Sequence, residues 1–425
     1  MKLFIKLLKI FVLLIIALTI GSILICMLPN KTIKKNIEKS LPELLEQRNY
    51  PKAIIEKKSY QMDNFTDGIF LSQNYHIDPK SPVQSAMLVS IGVYSWDIAE
   101  TLEQQINSNE FSYRDYPRYW QGNTFLLRIL LLLGTFSTIR WLLYVVSSLL
   151  ICILCVKLYQ NVGLPKMLIF MFGLLCVNIF VTQFSMQFFT VIALSMIASI
   201  LICNKFQSKS GIIPIIFFVI GCLTSYFDLL TAPLLTLGLP LIVFIMLQEQ
   251  YQQDISWKAG LKGIFLFSVI WAIGFAFTWG AKWAIGTALT EMNVFKDAYE
   301  NILIRTSTED YSRFDVIIEN VNMLPLVFIN IVVLCLALLA IFFFNKKGIK
   351  NFVFFLCISI FPYIWFLVLS NHSYLHSWFT YRIQAIAICG ILLSLASLIS
   401  WDKTKKRLNL FLNFGRNKRQ INANN

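Results

Sequence analysis

The chain has 425 residues, of which 57% are hydrophobic and only 14% are charged. One aqueous core cannot bury so much apolar surface, so the composition excludes a soluble globular protein and predicts helices in a lipid bilayer. The formal net charge is +14, but no basic segment of the sequence contains interleaved aromatic residues that could stack on bases. This argues against nucleic acid as a partner. Membrane topology explains the excess of lysine and arginine.

The nine cysteines all fall in apolar stretches, so no disulfide framework is expected. Cys152 and Cys155 have a CxxC spacing, but they lie inside an apolar run without a second cysteine pair, and they are predicted to be packing residues. No cofactor is expected, and a divalent metal is not indicated.

About ten apolar segments have membrane-spanning length, which predicts an all-α polytopic membrane protein with ten to twelve spans. The first segment, Phe4 to Leu28, is too long for a signal peptide and resembles an uncleaved signal anchor. A shorter run, Phe125 to Phe136, carries Arg128 and predicts an interfacial or re-entrant helix. The other predicted spans are Trp141 to Leu158, Met167 to Gln183, Phe188 to Ile202, Ile212 to Phe227, Leu229 to Leu247, Ile264 to Trp283, Leu324 to Phe344, Phe352 to Leu369 and Ile383 to Ile399.

Lysine and arginine placement predicts the orientation of these spans. The three shortest turns on one side, near Ser185, Asp228 and Ser373, contain neither residue, whereas the opposite side is rich in lysine. The positive-inside rule therefore puts both termini in the cytoplasm of a multi-pass plasma membrane protein. The predicted division is an anchor helix (1–28), an extracellular loop domain (29–140), the first part of the bundle (141–283), an extracellular loop (284–323), the last part of the bundle (324–400) and a basic cytoplasmic tail (401–425).

The first outer segment is predicted to be structured rather than a linker. Ser40 and Glu43 have the spacing of a capping box, and a second helix is predicted from Val83 to about Ile106. The aromatic and basic cluster that ends with Arg118, Tyr119 and Trp120 should lie at the membrane surface.

Acidic residues on the predicted outer face are the candidates for catalysis. Asp63 and Asp67 are four residues apart, so on a helix both carboxylates share a face and one could serve as a general base. The alternative is that they are capping or solvated aspartates. Asp228, in a tight turn close to hydrocarbon, either contacts substrate or caps the following helix.

These features resemble the GT-C glycosyltransferases: a cytoplasmic N-terminus, a large structured first outer loop, ten to twelve spans and an acidic residue in that loop. The resemblance implies transfer of a sugar from a polyprenyl-phosphate donor to an acceptor glycan, with Asp67 or Asp63 as the catalytic base and an active site facing outside. The abundance of lysine, isoleucine and asparagine is similar to that in proteins of low-GC Gram-positive bacteria. In such bacteria, enzymes of this family decorate cell-wall polysaccharide or teichoic acid.

Basic residues on the outer face are candidates for binding the donor phosphate. Arg382 lies one turn inside the last predicted span and should point into the bundle or else snorkel to the surface. His372 and His376 are four apart, but without the glutamate of HExxH or a third ligand they favour phosphate over zinc. Arg118, Arg128, Arg305 and Arg313 are further candidates.

The sequence thus predicts a membrane glycosyltransferase that acts on lipid-linked sugar and a cell-envelope glycan. A polysaccharide polymerase would share the same site. A lipid-linked glycan transporter or flippase is the non-enzymatic alternative, and it would need a polar cavity through the bundle.

Overall fold

The structure is a computed structural model that describes residues 1–108, 110–207, 211–252, 255–308 and 311–407. Residues 408–425 of the predicted basic tail lie outside the described residues. The described chain is almost entirely helical, with one two-stranded antiparallel sheet of β1 (Ile91–Gly92) and β2 (Tyr113–Arg114). Its helices are α1 (Lys2–Cys26), α2 (Asn30–Gln47), α3 (Asn64–His76), α4 (Pro82–Leu88), α5 (Ile98–Asn107), α6 (Gly122–Leu130), α7 (Phe136–Val162), α8 (Leu164–Leu175), α9 (Ile179–Thr182), α10 (Met186–Lys205), α11 (Ile213–Phe227), α12 (Leu235–Tyr251), α13 (Trp257–Leu289), α14 (Val294–Thr306), α15 (Arg313–Val321), α16 (Leu326–Phe342), α17 (Ile349–Ser359), α18 (Phe361–Val368), α19 (Ser370–Leu375), α20 (Ser377–Thr380) and α21 (Ala385–Ser397).

Six segments of the described chain are helical, long and apolar enough to cross a membrane. A seventh results if α15 and α16, which are bent by 84° at a short break, count as one span. Helices α8, α11 and α12 are apolar but shorter. The predicted all-helical membrane class is confirmed at this level, and the number of about ten spans stays a prediction. The six segments are Lys2–Cys26, Phe136–Val162, Met186–Lys205, Trp257–Leu289, Lys346–Val368 and Ser377–Ser397.

The bundle packs through close helix contacts that depend on glycine. A Cβ atom on Gly221 of α11 would lie 2.3 Å from the Trp271 carbonyl oxygen of α13, and one on Gly274 of α13 would lie 2.5 Å from the Phe218 carbonyl oxygen. Small residues allow helix backbones to approach this closely, which is how helices associate where lipid leaves no hydrophobic driving force. Helix α21 is buried along most of its length, so side chains at its start point into protein.

The outer segment departs from its predicted local structure in two places. The predicted helix from Val83 to Ile106 is wrong, because α4 ends at Leu88, the next residue, Val89, has a left-handed φ of 43°, and strand β1 intervenes before α5. The predicted capping box is also wrong. Ser40 lies inside α2, where its hydroxyl donates to the Asn36 carbonyl oxygen at 2.6 Å. The predicted domain boundary at residue 140 lies inside α7.

Predicted spans are interrupted near one end of the bundle. The predicted span Met167 to Gln183 consists of α8 and α9, separated at Asn178, whose φ of 55° is left-handed. The predicted span Phe352 to Leu369 divides between α17 and α18, just before Pro362, which cannot donate a helical hydrogen bond. At the break before α9, the Asn178 side-chain amide donates to the Ser59 carbonyl oxygen at 3.1 Å.

Arg128 fixes the end of α1 to the outer segment. The run that contains Arg128 forms the short helix α6 and the turn that leads into α7. The guanidinium is fully buried and donates to the carbonyl oxygens of Ile25 at 3.1 Å and Leu28 at 2.8 Å, and to the Asn30 side chain at 2.6 Å. A cation at a helix C-terminus satisfies carbonyl groups that the helix itself leaves unpaired.

We expect Arg128→Met to destabilise the protein, because it removes the side-chain donor of the Leu28 carbonyl oxygen and leaves the Ile25 carbonyl oxygen with only the Leu28 backbone N–H. The loss in unfolding free energy should be about 3 kcal/mol. Unfolding by sodium dodecyl sulfate titration from mixed micelles measures it, with the exposed Arg114→Met as the matched control. Equal stability of the two variants would contradict the conclusion that Arg128 holds the end of α1 against the outer segment.

Candidate functional site

Asp63 and Asp67 form a buried pair of carboxylates at the start of α3. Asp63 is the N-cap, and its Oδ1 accepts the Thr66 backbone N–H at 3.0 Å. One turn later, Asp67 Oδ1 accepts the Met186 backbone N–H at 2.9 Å. Both side chains are buried, and neither Oδ2 atom has a hydrogen-bond partner among the described residues. The predicted capping role is therefore confirmed for Asp63, but each carboxylate keeps one oxygen free for other chemistry.

Arg140, at the beginning of α7, provides the positive charge closest to Asp67. Its Nη2 atom lies 3.6 Å from Asp67 Oδ2, a distance that attracts without forming a hydrogen bond. The same guanidinium donates to the side-chain oxygens of Asn64 and Gln47, the latter at 3.0 Å. Arg140 is thus fixed by neutral amides, and its charge is shared between Asp67 and Glu43, whose Oε1 lies 3.6 Å from Arg140 Nη1.

Burial raises the pKa of both aspartates toward neutrality. The pKa of Asp67 rises to about 8, mainly because burial penalises the charged carboxylate, while Arg140 partly offsets the penalty and Asp63 adds to it. The pKa of Asp63 rises to about 6 for the same main reason, opposed by the Thr66 hydrogen bonds and by Arg382 and Arg140. Both rises favour a protonated carboxyl in the pair, and the larger rise is at Asp67.

Arg382 points into the bundle, as predicted, rather than to the surface. Its guanidinium is 2% exposed, lies 4.6 Å from the centre of the Phe188 ring and donates to the Trp378 carbonyl oxygen at 3.0 Å. Its charge acts on Asp63, whose pKa it lowers. In the described chain no carboxylate lies within 4.0 Å of Arg382, so Asp228 is not its ion-pair partner.

Three donors beside the carboxylate pair converge on one backbone oxygen. The Ser59 carbonyl accepts from Asn178 Nδ2 at 3.1 Å, from the Tyr381 hydroxyl at 3.1 Å and from Arg382 Nη2 at 3.4 Å. Ser59 belongs to a short hairpin closed by an antiparallel bridge between Lys52 and Gln61. The carbonyl oxygen occupies the position that an oxygen of an anion would take between these donors.

His372 and His376 form a second group with Arg305. Arg305 Nη1 donates to His372 Nδ1 at 2.8 Å, and His372 Nε2 donates to the Leu230 carbonyl oxygen at 2.9 Å. Because a carbonyl only accepts, His372 is neutral with its proton on Nε2. Burial and the Arg305 charge lower the pKa of His372 well below its usual range and that of His376 to about 4. Both rings therefore stay neutral beside a permanent cation.

Asp228 lies in the turn that precedes α12 and does not cap that helix, which begins only at Leu235. Its Oδ1 accepts the backbone N–H groups of Thr231 at 3.1 Å and Ala232 at 3.4 Å, while its Oδ2 is buried without a hydrogen-bond partner. Burial raises the pKa of Asp228 to about 7. The predicted helix-capping role is wrong, since the carboxylate instead stabilises the turn beside Leu230.

The two groups are neighbours that aromatic rings separate. Phe379 stacks on His376 with ring centres 5.0 Å apart and meets Phe188 at 6.3 Å. Phe188 in turn carries the Arg382 guanidinium on its face. The structure therefore brings seven of the predicted site residues together in two adjacent sets. One set contains Asp63, Asp67 and Arg382, and the other contains Asp228, Arg305, His372 and His376.

The remaining predicted phosphate ligands lie apart from the carboxylate pair. Arg118 forms an ion pair with Asp297 at 3.3 Å, Arg128 fixes α1, and the exposed Arg313 donates to the Leu367 carbonyl oxygen. Within the described ranges, no group of three or more histidine, cysteine, aspartate or glutamate side chains is arranged to hold a metal ion.

Arg140, Asn178 and Tyr381 belong to the site but were not predicted from the sequence. Arg140 could have been found by the argument used for Arg382, since an arginine beside an apolar run is costly to face toward lipid. Asn178 and Tyr381 carry no such signal, because their roles depend on a helix break and on a contact between distant segments.

Comparison of the chain with protein-family models, with curated proteins and with solved structures finds no match. The chemistry of the site must be judged from its buried carboxylates and the cations beside them.

Stability should depend on pH through Asp67. Because its folded-state pKa is raised far above the value of 3.8 for a free aspartate, the wild type loses stability as pH rises from about 4 through about 8. Asp67→Asn should remove the part of this loss that Asp67 causes, while Asp63 and Asp228, whose pKa values are also raised, keep theirs, and the variant should be more stable than the wild type by a few kcal/mol at pH 8. Unfolding titrations at several pH values measure it, with the exposed Asp78→Asn as the control. A wild-type pH dependence in Asp67→Asn would show that the carboxyl is ionised throughout.

Proposed function

We propose that this chain is a polytopic membrane glycosyltransferase that moves a sugar from a polyprenyl-phosphate donor to a cell-envelope glycan on the outer face of a bacterial plasma membrane. The observation that carries the proposal is the buried pair of Asp63 and Asp67 with Arg140 and Arg382 beside it. Burying such groups without complete pairing costs stability, and that cost is typical of catalytic sites.

The order of the helices supports a site on one side of the membrane. In the proposed topology, ten segments cross the membrane in alternate directions from the N-terminus: α1, α7, α8 with α9, α10, α11, α12, α13, α16, α17 with α18, and α20 with α21. The helix ends and connections on the N-terminal side of this topology carry Lys157, Lys166, Lys258, Lys262 and Lys346, which favours a cytoplasmic location for that side. Both groups of site residues then face outward.

The proposed reaction is a single displacement at the anomeric carbon. Asp63, whose pKa of about 6 leaves it ionised at neutral pH, takes the proton of an acceptor hydroxyl. The hydroxyl oxygen forms a bond to the anomeric carbon while the bond from that carbon to the phosphate oxygen breaks, and polyprenyl phosphate leaves. The configuration of the sugar carbon is inverted. Protonated Asp67 keeps a second negative charge away from the base and donates a hydrogen bond to the substrate.

The three donors that converge on Ser59 are the proposed site for the leaving phosphate. Arg382 brings a fixed charge, and Tyr381 and Asn178 bring neutral donors, in a buried setting where such contacts are strong. The donor phosphate displaces the Ser59 carbonyl as the 52–61 hairpin moves away. Arg305, whose nearest partner is the neutral His372, is the proposed second contact for the phosphate.

A polysaccharide polymerase remains the alternative within the same class, since it needs the same base and phosphate contacts. The transporter or flippase alternative has less support. The buried carboxylates of the described chain, Asp63, Asp67 and Asp228, lie at the N-cap of α3, in α3 and in the turn before α12 rather than inside the long spanning helices, whereas a transporter binds near the midplane.

We expect Asp63→Asn to lower the rate of sugar transfer by about 10²- to 10⁴-fold, because the amide cannot accept the proton. Asp67→Asn should retain more activity than Asp63→Asn, since an amide can still donate a hydrogen bond. The assay follows radiolabelled sugar from polyprenyl-phosphate donors extracted from membranes into envelope glycan, with Asp78→Asn as the control. Full activity in both variants, with equal amounts of protein in the membrane, would remove the pair from the mechanism.

Arg382→Gln should weaken binding of polyprenyl phosphate without unfolding the protein, because no protein carboxylate depends on this guanidinium for an ion pair. The thermal shift that polyprenyl phosphate produces in detergent should disappear, and Arg382→Lys should restore only part of it, since an ammonium cannot replace the planar fork. Adding Asp228→Asn should not rescue Arg382→Gln. A ligand-induced shift that persists in Arg382→Gln would refute the assignment of phosphate to Arg382.

A further inference from the structure

Four aromatic side chains form a continuous row from the surface of the outer segment to the carboxylate pair. Trp96 lies 5.5 Å from Phe65, Phe65 lies 6.0 Å from Tyr50, and Tyr50 lies 5.2 Å from Trp378, all between ring centres. Exposure falls along the row from 77% at Trp96 to 9% at Trp378. We call these four residues the aromatic row.

The inner end of the aromatic row meets the proposed catalytic groups. Tyr50 is close enough to Asp63 for the carboxylate to raise the pKa of the Tyr50 hydroxyl. The Trp378 carbonyl oxygen accepts a hydrogen bond from Arg382 at 3.0 Å. A ligand that lies along the row therefore ends beside the carboxylate that is the proposed base.

The outer end of the row is held in place before any ligand binds. Asn49 donates to the Trp96 carbonyl oxygen at 2.9 Å and accepts from the Ile98 backbone N–H at 3.0 Å. Arg48 beside it forms ion pairs with Asp97 at 3.1 Å and Glu100 at 2.8 Å. A large exposed ring on a backbone fixed in this way loses little freedom on binding.

We propose that the aromatic row binds the acceptor glycan, one sugar ring after another, and delivers its terminal hydroxyl to Asp63. The inference rests on the proposed function, which supplies the acceptor. Exposed rings pack against the apolar C–H faces of sugars, and the flanking guanidinium and carboxylates bond to hydroxyl groups. The same ion pairs oppose insertion of Trp96 into lipid, because charged side chains beside the ring would have to enter with it.

The test measures binding of glycan without any donor. The probe is the polysaccharide released from envelopes of cells that lack the gene, applied to the full-length protein in lipid nanodiscs, with binding followed by biolayer interferometry. Trp96→Ala should weaken binding about tenfold, and Trp96→Phe should weaken it less. Tyr299→Ala, which removes a similarly exposed ring (62%) from α14, should leave the affinity unchanged. Equal affinity for Trp96→Ala and the wild type, or no binding by the wild type, would overturn the proposal.

Two further measurements separate this inference from its alternatives. Brominated lipids in the nanodisc should quench wild-type and Trp96→Phe fluorescence to the same extent, and quenching that is lost in Trp96→Phe would identify Trp96 as a membrane anchor and overturn the proposal.

In the transfer assay, Trp96→Ala should raise the KM for acceptor and leave kcat nearly unchanged. Trp96-dependent glycan binding without any sugar transfer would refute the proposed function alone, whereas transfer with an unchanged KM would refute the aromatic row alone.

Discussion

The arrangement of this protein depends on the cost of burying charge where the helical bundle meets the outer segment. Asp63, Asp67, Arg140 and Arg382 are all buried there, yet their closest ion pair is the 3.6 Å contact between Arg140 and Asp67. Removing a carboxylate from water is expensive unless hydrogen bonds replace the lost solvent. The protein satisfies one oxygen of each aspartate with backbone N–H groups and leaves the other free, which keeps their pKa values near neutrality.

The fold supports this site by interrupting its helices at the same end. The break at Asn178 sends an amide toward Ser59, the α10 N-terminus directs the Met186 N–H at Asp67, and the start of the last spanning segment supplies Tyr381 and Arg382. Backbone that leaves its helix inside a membrane protein must find partners within the protein. Here those partners are the functional side chains, so the breaks and the site depend on each other.

The sequence predicted the spanning helices better than the outer segment. Long apolar runs such as Lys2–Cys26 and Trp257–Leu289 have one physical interpretation, and both helices were predicted. The ends of the first are shifted by two residues from the prediction, whereas the second extends beyond the predicted Ile264 to Trp283 by seven residues at its start and six at its end. The outer segment lacks such a signal. Its second predicted helix is divided at Val89 by a left-handed residue and a strand that pairs with Tyr113 and Arg114, contacts that local periodicity cannot reveal.

The part of the site that could be predicted from the sequence consists of charged residues that can be recognised one at a time. Arg382 stood out because a charged group near hydrocarbon needs a partner, and Asp63 and Asp67 stood out because their spacing puts two carboxylates on one face of a helix; the structure places them together. The pairing of Arg305 with His372 joins segments 67 residues apart, and the convergence on Ser59 joins segments 119 to 323 residues apart. No spacing rule covers such distances.

In the proposed topology, the carboxylate pair faces the outside of the cell while the lysine-rich end faces the cytoplasm. Cysteine accessibility tests it directly, with single cysteines introduced at the exposed positions Lys57 and Lys403 and a membrane-impermeant maleimide added to intact cells. Position 57, in the hairpin over the carboxylate pair, should react in intact cells, and position 403 should react only after lysis. Labelling of position 403 from outside, with position 57 protected, would place the site in the cytoplasm and contradict the account.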